Sequence, residues 1–240
     1  MNRYAWLITS AVNTKFGIYN AAQRLQQTLN TIASIKHRVP TAKIFLLEMS
    51  AIKLTDSQRD SLTAVVDNII DFTSDPSVVG LYHCTENWDV VKNVTEVMCF
   101  SKALQHLHSD TNQFSDIQRI FKISGRYELT DNFDIAYYDQ YKLQSQIIVN
   151  SSRPSQFPYT TTLVERQFMS RLWSWPTVLT TEIINVYDRG LVYMGDRLAA
   201  SGYVDIEHML YKFLDHAKIT EQPIIGIRGN IGPTGTIVAE

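Results

Sequence analysis

Cysteine is nearly absent: Cys84 and Cys99 stand alone, in no C-x-x-C pair and at no zinc-ligand spacing. Two thiols in 240 residues exclude a disulfide scaffold and suit a reducing compartment. Charge of either sign is not in excess. The net charge of −2 leaves no electrostatic footprint for nucleic acid or an anionic membrane. It does leave room for a local basic pocket that takes a small phosphate ligand. Long apolar runs are missing too. No stretch approaches the roughly 20 residues of a membrane span, and Met1 to Ile8 carries too short a run for a secretory leader. The expectation is a soluble protein of the cytoplasm. Neither Gly-x-Gly-x-x-Gly nor a Walker A motif occurs, which counts against dinucleotide and P-loop enzymes. No Pro/Gly/Ser-rich linker divides the chain, so one domain is expected.

What is present reads as an α/β protein. Hydrophobic residues make up 45% of the chain and charged ones 19%, a globular balance. Tyr4 to Thr9 and Lys43 to Glu48 are continuous apolar runs, as buried strands are. Between them, Ala22, Leu25, Leu29 and Ile32 keep helical spacing until Pro40. Thr55 and Gln58 form a capping box that opens a helix carrying Leu62, Val65, Val66 and Ile69. A short strand at Ile70 to Phe72 follows, then a helix from Asp89 to His106 and a strand from Ile120 to Ile123. This alternation predicts a parallel sheet with helices on its faces. Ligands bind beyond the carboxyl ends of such strands, which puts Thr9 to Asn13 and Ser124 to Asp131 on the ligand edge.

The second half is less regular. Ser145 to Asn150 reads as a strand, Arg153 to Pro158 as a loop, and Thr160 to Trp175 as one or two strands. Thr177 to Asp188 and Asp205 to His216 read as helices. Gly226, Gly229, Gly232 and Gly235 recur every third residue, but four triplets with sparse proline do not make collagen. A flexible tail or closing loop over 226–240 is expected.

Two motifs carry a resemblance. Lys92 and Glu96 lie four apart near the start of a helix, and the next strand runs into Lys122-Ile123-Ser124-Gly125-Arg126-Tyr127. The pairing resembles bacterial and viral capsule-type glycosyltransferases, whose pattern is Asn-Lys-Gly-x-Gly-Glu, a helix, then a strand ending Lys-Ile-Thr-Gly-Arg-Tyr. Asn93 and Thr95 stand where that group tends to have glycine. The resemblance implies one GT-A-like domain for polysaccharide biosynthesis, with a Rossmann-like half over 1–135 that binds a nucleotide-diphosphate sugar and an acceptor half over 136–225. It implies a hexosyltransferase-like activity toward a hydroxyl acceptor.

Within that frame Arg126 is the first candidate for the diphosphate, since a guanidinium holds two phosphate oxygens at once. Gly125 before it permits close backbone approach. Lys122 and Tyr127 share the motif. Lys92 and Glu96 occupy one helix face and can contact the donor as a pair. Thr9, Ser10 and Asn13 suit hydrogen bonds to a base or ribose. Many GT-A enzymes carry a metal-binding Asp-x-Asp at the position of this turn; here the carboxylates at hand are Glu128, Asp131 and Asp134. Whether Mn or Mg takes part is therefore open. Asp205 and Glu207 open a late helix and are the candidate bases for an inverting transfer, Glu207 first because it matches an Ile-Glu element of the group; His208 is an alternative. Trp173 and Trp175 face one side of a strand and are candidates for an acceptor wall, or simply core.

Each of these positions has a plainer reading: a surface ion pair for Arg126, a solvated pair for Lys92 and Glu96, helix capping for Asp205 and Glu207. Two other functions stay open. One is a GT-A-like module that binds a glycan or protein without turnover. The other is a different nucleotide-dependent transferase, such as a nucleotidyltransferase.

Overall fold

The computed structural model describes residues 3–110, 113–140, 143–231 and 234–240; Met1, Asn2 and Gly232 fall outside them. Its centre is a seven-stranded sheet. The first strands are β1 (Tyr4–Ser10), β2 (Lys43–Glu48), β3 (Asn68–Asp71) and β4 (Arg119–Ser124). They are joined in the sheet by β6 (Ile147–Asn150), β9 (Leu172–Pro176) and β10 (Ile219–Gln222). The spatial order is β10-β6-β9-β4-β1-β2-β3. β1 to β4 pair in parallel, as the strand–helix alternation predicts, and β9 runs antiparallel between β4 and β6.

All seven side chains of β1 are buried, which fits a central strand covered on both faces. Alternate residues serve different cores. Ala5 and Leu7 face a core shared with Phe100 and Leu104, while Trp6 and Ile8 face one shared with Ile32 and Phe121. On the Ala5 side lie α4 (Trp88–Ser109), α7 (Thr180–Ala199) and α8 (Ile206–Phe213). On the other side lies α1 (Ala21–Arg38), opened by an Asn20–Gln23 capping box. α7 and α8 meet where Gly190 leaves room for Met209.

Several expectations change. The Thr55–Gln58 box caps α2 (Asp56–Thr63), but the helix stops before Val65 and Val66, and Ile69 belongs to β3. The chain needs that break because β3 must pair with β2; Asp67 supports it by accepting the Ile44 N–H at 2.7 Å. α3 (Pro76–Cys84) was not foreseen, although Asp75 as N-cap with Pro76 at the first helical position is its sequence signature. The segment 160–175 holds a short helix, α6 (Tyr159–Thr162), then β8 (Arg166–Gln167) and β9. β8 pairs with β7 (Arg153–Pro154), inside the segment read as a loop. A second short helix, α5 (Ile135–Tyr138), packs Tyr138 against Phe121.

The glycine-containing C-terminal stretch is not a free tail. β11 (Ile227–Asn230) and β12 (Ile237–Ala239) form an antiparallel sheet with β5 (Tyr127–Leu129), the strand directly after Arg126. Gly226 makes the docking possible. It sits at φ +75°, and a Cβ there would overlap the Phe133 backbone.

Gly226→Ala is therefore expected to lower stability by about 2 kcal/mol or more, from left-handed strain plus the backbone clash. Gly80→Ala, in α3 with open space around its Cβ position, should instead raise stability by roughly 0.5–1 kcal/mol. Equilibrium urea unfolding measures both; equal midpoints for the two variants would contradict a docked hairpin.

Candidate functional site

The parallel register sets Thr9 of β1 beside Ser124 of β4, so the carboxyl ends of both strands open on one edge. There the chain forms a cleft of about 140 Å³. Gly125 closes the corner: its N–H donates to the Thr9 carbonyl at 2.9 Å. A Cβ at this position would lie 3.1 Å from Thr28 Oγ1 and 3.2 Å from the Thr9 oxygen, so a bulkier residue would push the two strand ends apart. The glycine is set by space, not by backbone angle.

Three cations face this cleft: Arg24 of α1, Lys92 of α4 and Arg126 of the β4–β5 turn. Arg24 holds the loop after β1, donating to the carbonyls of Phe16 at 2.8 Å and Tyr19 at 3.1 Å. Burial lowers the Arg24 pKa, and the neighbouring Arg126 charge adds to this. Neither Lys92 nor Arg126 has an ion-pair partner among the described residues, and the buried Nε of Arg126 has no hydrogen-bond partner there. Like charges gathered with no ion pair of their own are an electrostatic cost that an anion relieves.

Glu96 is the carboxylate on the cleft wall. It pairs with Lys122 at 2.7 Å and accepts from the Thr9 hydroxyl at 3.2 Å. Burial pushes its pKa up, but the Lys122 ammonium, its hydrogen bond, and the charges of Lys92 and Arg126 together outweigh that and hold Glu96 below the usual carboxylate range. Glu48, fully buried at the end of β2, interacts with Ser10 and Ser50 of the cleft lining. It accepts the Val12 N–H at 3.0 Å, and Ser10 and the Ser50 backbone also favour its ionised form. Burial pushes its pKa up to about 7.

Of the residues singled out in the sequence, Thr9, Ser10, Lys92, Glu96, Gly125 and Arg126 line the cleft. Others do not. Lys122 has no exposure and sits under the wall. Asn13 turns away to the Lys53 carbonyl and the Gln58 side chain. Tyr127 is buried, with its hydroxyl accepting from Arg171 Nε at 3.1 Å. Trp173 and Trp175 stack in the core with ring centroids 4.6 Å apart; no ring face is open, so they form no acceptor wall. Asp205 is the N-cap of α8, accepting from the His208 N–H at 3.0 Å and facing His208 Nδ1 at 2.6 Å. Its remaining oxygen accepts from Gln156, and the second ring nitrogen of His208 meets Ser155 Oγ at 2.8 Å. Both residues are thereby committed to holding the helix start.

Glu207 is not among the cleft-lining residues either, but it is not the helix cap. It is half-buried, accepts the Ser170 hydroxyl at 2.6 Å and lies within Coulombic reach of Lys92 and Glu96. Burial and then the Asp205 carboxylate raise its pKa; Lys92 and the Ser170 hydrogen bond offset part of this. Sequence reasoning missed the aromatic wall: Phe16, Tyr82 and Trp88 also line the cleft, Phe16 and Tyr82 edge to face at 5.8 Å. Its members come from three separate segments, so no local pattern announces it.

The carboxylates after β4 do not gather for a divalent cation. Glu128 accepts from Asn30, Asp131 pairs with Arg38, and Asp134 caps α5. Among the described residues no group of three His, Cys, Asp or Glu side chains converges at metal-ligand range. No helix among the described residues is long and apolar enough to cross a membrane.

No family model matches the sequence, and no curated protein matches it. Among solved structures, the chain is similar to core-mannan synthase A (CmsA/Ktr4) from Aspergillus fumigatus in its Mn/GDP form, at 9% identity and a TM-score of 0.50. The match spans 98% of this chain and 77% of that one. It is also similar to 4-diphosphocytidyl-2C-methyl-D-erythritol synthase from Anaerococcus prevotii DSM 20548, at 10% identity and a TM-score of 0.44, over 92% of this chain and 86% of that one. At 9% identity the likeness to the mannan synthase is one of fold: the architecture is GT-A-like.

Glu48 gives this site a pH signature. A carboxyl whose folded pKa exceeds its unfolded value binds its proton more tightly when folded. Its contribution to stability is present below about 4.5 and is lost as pH rises through about 7. Glu48→Gln keeps an acceptor for Val12 and removes the charge. Its stability relative to the parent chain should rise from acid to alkaline pH, by up to roughly 3 kcal/mol. Urea unfolding at several pH values measures this; a difference that stays flat would refute the buried, proton-binding Glu48.

Proposed function

We propose that this chain is a glycosyltransferase that moves a sugar from a nucleotide-diphosphate donor to a hydroxyl acceptor. The observation that carries the reading is the cleft at the carboxyl ends of β1 and β4, where Arg24, Lys92 and Arg126 face one space and the last two make no ion pair among the described residues, Glu96 being paired with Lys122. Departure of a nucleoside diphosphate develops negative charge on the bridging oxygen, and fixed cations in a partly dry site stabilise that charge. Arg126 suits two phosphate oxygens; Lys92 meets the group from α4. The Mn/GDP form of the similar mannan synthase supports a nucleoside diphosphate as the ligand class.

The rest of the cleft divides accordingly. Thr9 and Ser10 offer hydroxyls to the ribose or base, and the Phe16, Tyr82 and Trp88 rings offer apolar faces. In an inverting transfer the acceptor oxygen attacks the anomeric carbon, the bond from that carbon to the phosphate oxygen breaks, and the acceptor proton passes to Glu207. Its raised pKa makes Glu207 a better base near neutrality than Glu96, which Lys122 holds ionised. Asp205, spent on capping, is not given the base role. A divalent cation, if the enzyme uses one, would add charge at the diphosphate; the residues after β4 are not arranged to hold it, and no step here runs through it.

A thermal-shift screen with nucleoside diphosphates and their sugars, with and without manganese, tests the reading. A ligand at 100 times its Kd stabilises by about 2.7 kcal/mol, a rise of roughly 5 °C or more for a chain of this size. Arg126→Ala should weaken binding by about 10- to 100-fold, as loss of a charged hydrogen bond does. No shift with any nucleotide, or a shift unchanged in Arg126→Ala, would defeat the proposal. A normal shift with no turnover on any acceptor would identify a binding module instead.

A further inference from the structure

Lys122 lies within β4 with no solvent exposure, yet it is fully partnered. Its ammonium reaches Glu96 at 2.7 Å, the Ser170 carbonyl at 2.7 Å and Ser124 Oγ at 3.0 Å. An ammonium has three donors, and three acceptors take them. Glu96 and Ser124 line the cleft. Ser170 leads elsewhere: its own hydroxyl donates to Glu207 at 2.6 Å. One buried charge therefore stands behind both carboxylates that the transferase reading uses. Stability alone does not account for it, since a buried ion pair is often no better than well-packed apolar side chains of similar volume.

We propose that Lys122 is a positioning residue that couples the two carboxylates, fixing Glu96 on the donor wall and, through Ser170, Glu207 beside the acceptor. The proposal rests on the glycosyltransferase reading for its functional meaning. Glu96 is faced by Lys92 on its own helix, by Lys122 and Arg126 from β4 and its turn, and by Tyr187 from α7. Glu207 is faced by Asp205 and Tyr203 ahead of its helix, by Lys92 and Glu96 from α4, by Tyr187 from α7, and by Ser170. Among these, Lys122 holds Glu96 and Ser170, and Ser170 is the one that hydrogen-bonds Glu207.

The test reads the carboxyl carbon of Glu207 by NMR titration in the protein without donor, the signal being assigned with Glu207→Gln. Lys122→Met alone would strand Glu96, so the comparison is between Glu96→Gln and Lys122→Met/Glu96→Gln, each with Ser170 intact or changed to Ala. With Ser170 present, adding Lys122→Met should move the Glu207 titration upward, because the hydroxyl that stabilises its ionised form is no longer held in place. With Ser170→Ala the same step should move it little. A shift of equal size in both backgrounds, or no shift in either, overturns the coupling. Ser170→Ala in the otherwise native chain is a second arm that leaves the ion pair intact: Glu207 should again titrate higher, and an unmoved Glu207 overturns the relay. Where the parent chain turns over a donor, the acid limb of its pH–rate profile should follow the same pattern. Absence of turnover in the parent chain counts against the transferase reading alone, because the titration needs no donor.

Discussion

A lysine ammonium with no exposure, in the middle of a central strand, dictates what its neighbours must be. Desolvating such a group costs several kcal/mol, recovered only if an opposite charge and further acceptors stand within hydrogen-bond range. Glu96 supplies the charge, and Ser124 and the Ser170 carbonyl supply the rest. These acceptors belong to α4, to the end of β4 and to the segment before β9. The ammonium thus draws together the helix that carries Lys92, the strand that delivers Arg126 and the stretch that reaches Glu207. The cleft has its shape because those three elements cannot separate without exposing or orphaning that charge.

The central sheet was legible because its signal is local. Continuous apolar runs such as Lys43 to Glu48 have few alternatives to a doubly covered strand, and a capping box such as Thr55–Gln58 marks a helix start within four residues. What followed that box was not legible. Val65 and Val66 keep helical spacing, but β3 needs partners on β2, and tertiary pairing prevailed over local pattern. The C-terminal segment shows the same limit. Its glycines read as slack, whereas Gly226 and Gly229 are there because Phe133 and the Arg126–Tyr127 backbone leave no room for a side chain.

Within the site, local chemistry and long-range geometry divide in a similar way. That Gly125 and Arg126 follow a strand was readable locally, but spacing alone favoured a surface ion pair for Arg126, and only the resemblance directed it to the cleft it lines. Lys122 was half readable: strand parity puts it on the face of Ile120, but parity does not say that Glu96 waits there. Trp173 and Trp175 share a face, as their spacing requires, and nothing in that spacing tells a solvent face from a core face. Phe16, Tyr82 and Trp88 meet only after three segments have folded, so no spacing rule reaches them.

The same accounting explains why neighbouring acids on one helix take different roles. Asp205 is removed from chemistry by geometry: a helix start must satisfy its free N–H groups, and Asp205 does so while also holding His208. Its charge does not disappear, however. It stays beside Glu207 and, together with burial, raises the pKa of that carboxyl. Across the wall Lys122 does the reverse to Glu96. Glu96 on the cleft wall and Glu207 behind Ser170 are thus pushed apart in proton affinity by groups that never need to touch a ligand. Such a separation lets one carboxylate remain an anchor while its neighbour exchanges a proton, and here it arises from a helix cap on one side and a buried lysine on the other.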